Sequence, residues 1–361
     1  KKCEIVMQSA QTHGRPLSLF ALVALSAVVA SAPSPAAAAS PLRIDGLVAA
    51  VFSPFDATGA LNLTVVPAQH RFLESTGVDW VFVCGTTGES LSLTLNERKK
   101  LLEAWIAVRP STTIAHVGAE ALADAQELAA HAAKQGAKAV AAMPPTFFKP
   151  TSVHALAATI ASICGAASLL PCYYYHIPSM TGVVYPMIDL VRAIEPLAAN
   201  FVGIKYTGLY TNPGYFDAQQ VLNYKEGKFE VFSGREEMML EALAIGIKGH
   251  VGSQFNFAGD LYNQIRQGFD TRGLTKASAA DLRGTQMRAI SLVNLWKDVA
   301  SANEGANAAK GVMNLVGVPV GDARLPTLPL DENAKLTLRT ALKAFCAAAP
   351  PESTPLHMCV H

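Results

Sequence analysis

A lysine that closes an apolar run is the sharpest chemical feature of this sequence. Lys205 follows the apolar residues 201–204, at a depth where a charged ammonium is costly to desolvate. Burial lowers the pKa of a lysine and frees the neutral amine that attack on a ketone carbonyl requires. The alternative is that Lys205 turns outward to solvent, as most lysines do.

Two threonines lie in a glycine-flanked turn that also follows an apolar run. Residues 85–89 read Gly-Thr-Thr-Gly-Glu, so Thr86 and Thr87 offer hydroxyls beside a series of backbone amides. Such a turn between a strand and a helix suits a carboxylate. The alternative is a glycine-rich loop in which a threonine caps the next helix.

Three consecutive tyrosines occupy a third apolar run. In a strand, Tyr173 and Tyr175 would face one side and Tyr174 the other. A phenol at the strand end, Tyr175, can relay protons to and from a substrate hydroxyl. The alternative is that the aromatic strand is simply part of a core.

Acidic and hydroxyl side chains follow the last two apolar runs. Glu236 and Glu237 come after Gly234, and Ser253 follows the run 249–252. They are candidate hydrogen-bond partners for a polyhydroxy substrate; alternatively, the glutamates form the acidic first turn of a helix. The histidines show no metal-ligand spacing, so no metal site is predicted.

The elements that must position these residues alternate between short apolar strands and longer helical patterns. This alternation predicts a parallel sheet covered by helices, and eight strand–helix units favour a closed α/β barrel, the (β/α)8 TIM barrel. The predicted strands cover residues 46–52, 80–83, 113–116, 139–143, 170–175, 201–205, 229–233 and 249–252. The predicted helices cover residues 94–108, 121–135, 153–164, 186–194, 236–245, 261–267, 282–300, 307–315 and 333–348.

The barrel is predicted over residues 42–275. A C-terminal helical extension follows over residues 276–348, because the strand signal disappears while helical patterns continue. Within it, residues 318–330 are rich in proline and glycine and indicate an irregular connector. The last residues, 349–361, are interpreted as a loose tail.

The amino terminus differs in kind from the rest of the chain. Lys1, Lys2 and Arg15 precede an apolar run, 17–30, and a stretch of small residues and prolines. The pattern is typical of a targeting peptide for the secretory route or an organelle, and residues 1–41 are therefore excluded from the fold. The alternative is a disordered or mistranslated extension, in which case the protein would be cytoplasmic.

Composition restricts the class of partner. The chain has 361 residues, is 50% hydrophobic and carries a formal net charge of +1, which excludes a disordered or fibrous protein. Near-neutral charge leaves no broad attraction to nucleic acid or to an anionic membrane, so we expect a small-molecule partner. The six cysteines include no CxxC pair and are interpreted as reduced thiols.

Three segments together resemble the dihydrodipicolinate synthase and N-acetylneuraminate lyase superfamily of class I pyruvate aldolases. They are residues 85–89, residues 174–178 with 181–182, and residues 203–205. The resemblance implies that Lys205 forms a Schiff base with pyruvate, that Tyr175 relays protons, and that Thr86 and Thr87 hold the pyruvate carboxylate. It also implies a pocket lined by Gly203 and Thr207, no metal or dissociable cofactor, and a homotetramer.

Within this superfamily the sequence is most similar to the animal-type N-acetylneuraminate lyases. Residues 178–181 lack the arginine that dihydrodipicolinate synthases usually carry, residues 173–182 look like the lyases, and Ser253 matches their serine. Gly234-Arg-Glu-Glu stands where the lyases have Gly-x-Asp-Glu, which implies that Glu236 and Glu237 bind the hydroxyl tail of the sugar. The resemblance thus implies cleavage of N-acetylneuraminate to N-acetylmannosamine and pyruvate.

Two alternatives remain open at the level of sequence. The enzyme could be another pyruvate-dependent aldolase, acting on a 2-keto-3-deoxy sugar acid or 4-hydroxy-2-oxoglutarate, or it could be similar to dihydrodipicolinate synthase. It could also be a catalytically silent barrel that serves as a binding module, although retention of Lys205, Tyr175 and both threonines counts against this.

Overall fold

The computed structural model describes residues 40–208, 214–276, 278–299, 305–349 and 355–359. The predicted leader, 1–41, therefore lies almost wholly outside the described residues. Within the described ranges, no helix is both long enough and apolar enough to cross a membrane.

Eight parallel strands close into a barrel in the order of the sequence, and this confirms the predicted (β/α)8 fold. The last strand pairs with the first, with Gly249 opposite Gly46. The strands are β1 (Gly46–Ala50), β2 (Trp80–Val83), β3 (Thr113–His116), β4 (Ala139–Ala142), β5 (Cys172–His176), β6 (Phe201–Tyr206), β7 (Glu230–Ser233) and β8 (Gly249–Gly252). Each overlaps a predicted strand, because short apolar runs between helices are a strong local signal.

Side chains of the strands alternate between two apolar layers. Along β1, Val48 belongs to the barrel interior and Ala49 to the layer between strands and helices. Along β5, Tyr173 and Tyr175 face the interior while Tyr174 faces the helices, as the two-residue period of a strand predicts. The two layers leave the residues that follow each strand to form the site.

Helices surround the barrel and continue beyond it. They are α1 (Val66–Ser75), α2 (Leu95–Val108), α3 (Leu122–Gln135), α4 (Val153–Gly165), α5 (Pro178–Thr181), α6 (Met187–Ile194), α7 (Phe216–Asn223), α8 (Met239–Ala244), α9 (Phe255–Arg272), α10 (Ala279–Val299), α11 (Gly305–Leu315) and α12 (Glu332–Ala347). The sequence pattern did not predict α1, α5 and α7, which span ten, four and eight residues. Helices this short depend on tertiary packing more than on propensity.

Local signals explain where several helices begin. Thr94 and Glu97 form a reciprocal capping box at the start of α2. Ser152 caps α4 and Asp331 caps α12 through their side chains. By contrast, the predicted helix 236–245 divides into a 3₁₀ turn, Glu236–Met238, followed by α8.

Two disulfides correct the interpretation of the cysteines as reduced thiols. Cys164 at the end of α4 is bonded to Cys172 at the start of β5, and Cys346 in α12 is bonded to Cys359. In both pairs the Cα atoms lie 5.6 Å apart. Spacing along the chain did not indicate these bonds, because the partners meet only when a helix end folds back onto its neighbour. Cys84 is a free, buried thiol whose pKa burial raises to about 11.

The prediction of a loose tail is wrong for residues 355–359. Leu356 and Met358 are buried, the backbone N–H of His357 donates to Asp260, and the Cys359 disulfide ties the segment to α12. Apolar burial and a covalent link offset the entropy of ordering this short segment.

An ion pair joins the irregular connector after α11 to the start of α2, and it predicts a pH-dependent stability. Arg324 donates to both carboxylate oxygens of Glu97, at 3.0 and 2.5 Å. This hydrogen bonding holds the pKa of Glu97 at about 2, below the value of about 4.3 expected in the unfolded chain. The stabilisation is therefore complete above about pH 4.3 and is lost as the pH falls through about 2.

We expect Glu97→Gln to lower the free energy of unfolding by about 1 kcal/mol at pH 7, after solvent screening is allowed for. Urea denaturation of both proteins at pH 7 and at about pH 3 would measure the difference. The gap should narrow at the lower pH, because this carboxylate then protonates in the unfolded wild-type chain but stays largely ionised in the folded protein. An equal gap at both pH values would show that the charge of Glu97 contributes nothing.

Candidate active site

A cavity of about 170 Å³ opens where the barrel strands end. Its lining residues come from or directly follow β1, β2, β5, β6, β7 and β8, so distant parts of the chain meet there. The carboxyl ends of barrel strands are where this fold builds its active sites. The lining residues are Ala50, Thr86, Thr87, Tyr175, Ile177, Ser179, Lys205, Thr207, Gly234, Arg235, Glu236, Val251, Gly252 and Ser253.

Lys205 points into the barrel. The residue is only 4% exposed, and its Nζ atom lies 4.3 Å from the ring centre of Phe82 and 3.9 Å from that of Tyr175. Among the described residues, no carboxylate pairs with this amine and no acceptor binds it. The alternative in which Lys205 turns outward to solvent is therefore wrong. A buried amine without a counter-ion is poised for nucleophilic chemistry.

Tyr175 lies beside this amine because its strand pairs with that of Lys205. The two residues are opposite each other in the β5–β6 register. Tyr175 is 3% exposed, and its Oη atom lies 3.2 Å from Oγ1 of Thr86. Tyr173, on the same face, instead donates to Glu230 at 2.7 Å. Of the two inward tyrosines, Tyr175 is thus the one whose hydroxyl lines the cavity.

The turn from residue 84 to residue 89 places both threonines at the cavity. Thr87 Oγ1 lies 2.7 Å from Ser253 Oγ, so the turn contacts the end of β8. The turn begins and ends with non-glycine residues in the left-handed conformation, Cys84 at φ 60° and Glu89 at φ 53°. Each costs on the order of 1–3 kcal/mol and persists only where its surroundings hold it.

Glu236 is half-buried in the cavity wall, next to the end of β8. Its Oε1 atom accepts hydrogen bonds from the backbone N–H groups of Ser253 and Gln254, so this glutamate joins the 3₁₀ turn to the end of β8. Burial is the main cause that raises the pKa of Glu236, and the neighbouring carboxylate of Glu237 adds to it. A carboxyl group held in this way can accept or donate a hydrogen bond to a bound hydroxyl.

Glu237 does not line the cavity, which corrects its place in the predicted set. Its carboxylate lies 3.5 Å from Nη1 of Arg235 and is not among the lining groups. In a 3₁₀ turn successive side chains are rotated by about a third of a circle. Two adjacent glutamates therefore cannot both face the same cavity, and only the fold decides which one does.

Two lining residues with polar side chains, Arg235 and Ser179, were not predicted as site residues. Arg235 donates through Nε to the carbonyl of Thr207 at 3.0 Å. In the sequence, Arg235 was only the unspecified residue x of the Gly-x-Asp-Glu pattern. Ser179 was noted only as part of residues 178–181, the segment that lacks an arginine. Both directly follow segments that were singled out, and polarity just beyond a barrel strand is the signal that could have identified them.

Thr207 and Gly234 shape the cavity wall beside Lys205, and Gly203 lies in the strand packing beneath it. Thr207 Oγ1 donates to the carbonyl of His176 at 2.8 Å. A Cβ atom on Gly234 would lie 2.5 Å from Thr207 Cγ2 and 3.4 Å from Lys205 Cε. Gly203 does not line the cavity; a Cβ atom there would lie 2.1 Å from the carbonyl oxygen of Glu230. Gly203 thus supports the close strand packing beneath the site.

We expect Gly234→Ala to lower catalytic efficiency by about 10- to 100-fold, because its methyl group displaces Thr207 in the wall beside Lys205. Steady-state kinetics on the best substrate would measure the loss. Gly284→Ala in α10 is the matched control, since a Cβ atom there meets nothing within 4 Å and alanine favours a helix. Equal activity of both variants would contradict the close packing at residue 234.

No cluster of three or more metal-binding side chains occurs in the described parts of the chain. The polar groups of the cavity are instead a buried amine, a phenol, hydroxyls, one arginine and one carboxyl group. This set can form a covalent imine with a carbonyl compound, hold a carboxylate and move protons.

Several known proteins are similar to this chain in sequence and in fold. N-acetylneuraminate lyase from Danio rerio is 38% identical over 293 residues, which is 80% of this chain and 92% of that relative. The lyase from Gallus gallus is 37% identical, with the same shares covered. Among solved structures, N-acetylneuraminate lyase from Aliivibrio salmonicida matches with a TM-score of 0.77 and 32% identity, over 84% of this chain and 97% of that one.

The family comparison covers the barrel and most of the helical extension. The model of the dihydrodipicolinate synthetase family matches residues 43–345, a range that holds every cavity residue described above. Together with the similarity to full-length lyases, this match shows that the chain belongs to the dihydrodipicolinate synthetase family.

Proposed function

We propose that this chain is a Schiff-base aldolase that cleaves N-acetylneuraminate to N-acetylmannosamine and pyruvate. The observation that carries the proposal is the buried Nζ atom of Lys205, 3.9 Å from the ring centre of Tyr175. The similar proteins from Danio rerio and Gallus gallus both bear the name N-acetylneuraminate lyase. The chain is a lyase of this family, and the geometry of its cavity suits the same chemistry.

The reaction would begin at Lys205. Its neutral amine attacks the C2 ketone of the open-chain sugar acid, and loss of water leaves a protonated imine. The Tyr175 phenol gives its proton to the hydroxyl that departs as water, and the resulting phenolate takes the proton of the C4 hydroxyl. The C3–C4 bond then breaks, and its electron pair moves into the imine to give an enamine. N-acetylmannosamine leaves, and the carbon that was C4 of the sugar acid becomes its aldehyde carbon. Protonation of the enamine at C3 and hydrolysis then release pyruvate and restore Lys205.

The remaining cavity residues would bind rather than react. We assign the carboxylate of the substrate to the hydroxyls and backbone amides of Thr86 and Thr87. The hydroxyl tail would contact Glu236 and Ser253, which line the cavity together. The chemistry needs no metal or dissociable cofactor, because the imine on Lys205 is itself the electron sink.

One observation favours a second candidate within the same class. Glu236 is longer by one methylene than the aspartate implied by resemblance to the lyases, and it occupies space beside Gly252. A cavity narrowed beside Gly252 would favour a shorter substrate, such as a 2-keto-3-deoxy sugar acid or 4-hydroxy-2-oxoglutarate. The steps at Lys205 and Tyr175 would be unchanged.

We also propose an assembly and a destination. Phe147 and Phe148 are 80% and 84% exposed, and adjacent exposed aromatic rings mark an interface. These rings support a homotetramer, which light scattering would test.

The two disulfides support an oxidising destination for a protein whose residues 1–41 act as a targeting segment. We place its role in carbohydrate metabolism.

Borohydride trapping would test the proposed reaction. The protein lacking residues 1–41 is incubated with pyruvate or N-acetylneuraminate, reduced with borohydride, and examined by intact mass and peptide mapping. We expect the same pyruvyl adduct on Lys205 from both compounds. An adduct from pyruvate alone would redirect the search to other keto acids, and the lack of any adduct would exclude the Schiff-base mechanism.

A further inference from the structure

A buried ion pair joins the C-terminal helical extension to the threonine turn of the active site. Lys310 lies on α11, outside the barrel, and its side chain is fully buried. Its Nζ atom lies 2.6 Å from Oε1 of Glu89, whose side chain is 8% exposed. Burying two charges is costly unless they pair closely and their remaining hydrogen-bonding groups are satisfied.

The surroundings of the pair satisfy much of this requirement. Lys310 Nζ also donates to the carbonyl of Asp322 at 3.1 Å and lies 4.1 Å from the ring centre of Phe55. The second oxygen of Glu89, Oε2, accepts from the backbone N–H of Arg324 at 2.8 Å. One carboxylate thus connects the threonine turn to α11 and to the connector that follows α11.

The backbone of Glu89 shows why the turn needs such a connection. Glu89 is left-handed, at φ 53°, and directly follows the Gly-Thr-Thr-Gly segment. At the other end, Cys84 is left-handed at φ 60°, and its carbonyl accepts from His116 Nδ1 at 2.8 Å. Non-glycine residues leave this conformation unless surrounding contacts hold them. Thr86 and Thr87 lie between the two held ends.

We infer that Lys310 and Glu89 are positioning residues for the reaction, because their buried ion pair holds residues 84–89 so that Thr86 and Thr87 face the carboxylate of the keto acid. The inference rests on the proposed function. Neither Lys310 nor Glu89 lines the cavity, so both act through the turn. The helical extension is then part of the active-site structure, although none of its described residues lines the cavity.

Pyruvate trapping on Lys205 gives a direct test, since it measures binding of the carboxylate apart from aldol cleavage. The variants are Lys310→Met, Glu89→Asp and the double variant Glu89→Gln/Lys310→Met. The double variant leaves no unpaired buried charge, and Glu89→Asp keeps the charge while shortening its reach, so both keep the test open if Lys310→Met fails to fold. Lys335→Met is the matched control, because Lys335 pairs with Glu332 on the surface of α12.

We expect the pyruvate concentration that gives half-maximal adduct to rise about 10- to 100-fold in the three variants. The adduct level at saturating pyruvate should stay near that of the wild type, because Lys205 is intact. The double variant should be no worse than Lys310→Met alone, since the two residues act as one unit. Lys335→Met should leave the half-maximal concentration unchanged.

Two results would overturn the inference, and they are distinguishable. If the wild type forms the adduct and the folded Glu89→Asp and double variants need no more pyruvate than it does, the ion pair only stabilises the fold and the proposed function stands. If the wild type forms no adduct at all, the proposed function fails and the inference fails with it. Circular dichroism of each variant shows which proteins are folded.

Discussion

Replacing Lys205 with methionine should lower the turnover number by on the order of 10⁴-fold or more, because no other lysine lines the cavity in the part of the chain that the structure describes. Lys205 is buried with its amine against two aromatic rings. Methionine has a similar length and fills the same space without a charge to desolvate. The variant should therefore fold, and it should lose its pyruvyl adduct together with its activity.

The same substitution should raise stability by about 1–2 kcal/mol, because a buried amine without a partner costs free energy that methionine does not. Urea denaturation checks this, and Lys248→Met, at a largely exposed lysine, is the control in both assays. A loss of activity with a gain in stability separates a chemical role from a structural one. Activity above about one hundredth of the wild type would exclude Lys205 as the nucleophile.

Replacing Tyr175 with phenylalanine should lower the turnover number by about 10²- to 10⁴-fold, the range for removal of a general acid–base group. The ring and its contact with Lys205 remain, while the hydroxyl beside Thr86 is lost. We expect the variant to form the pyruvyl adduct with borohydride still, because imine formation depends mainly on Lys205. Cleavage of the sugar acid, measured by pyruvate release, should carry the loss.

Tyr174→Phe is the matched control on the same strand. Tyr174 faces the helix layer, and its buried hydroxyl has no hydrogen-bond partner among the described residues. Removing this hydroxyl should leave activity unchanged and stability equal or slightly higher. If Tyr175→Phe and Tyr174→Phe cleaved the substrate equally well, the proton relay would have to be another group.

The fold, and the positions of Lys205 and Tyr175 at the ends of strands, were largely predictable from local sequence. Apolar strands that alternate with amphipathic helices are a short-range pattern, and they predicted all eight strands of the closed barrel. Because the strands are parallel, the residues that end them must meet at one face. Tyr175 and Lys205 lie at the ends of β5 and β6, and these strands pair with the two residues opposite each other.

Other features could not be predicted because they depend on contacts between distant segments. The two disulfides join helix ends to neighbours, and no cysteine spacing indicated them. Residues 355–359 looked like a tail, yet Leu356 and Met358 are buried. Burial of so few apolar residues leaves no periodic signal in the sequence.

By itself, the sequence determined the barrel and placed Lys205, Tyr175 and the threonine turn at the ends of strands, because these positions follow from local periodicity. The tertiary structure decided that the Lys205 side chain points into the barrel, beside the Tyr175 ring. Only the tertiary structure decided that Glu236 enters the cavity while Glu237 pairs with Arg235. It also decided that Lys310, a lysine in an apolar helix, neutralises Glu89 from more than two hundred residues away. Such choices depend on side-chain direction and on desolvation of paired charges, which exist only once the chain is packed.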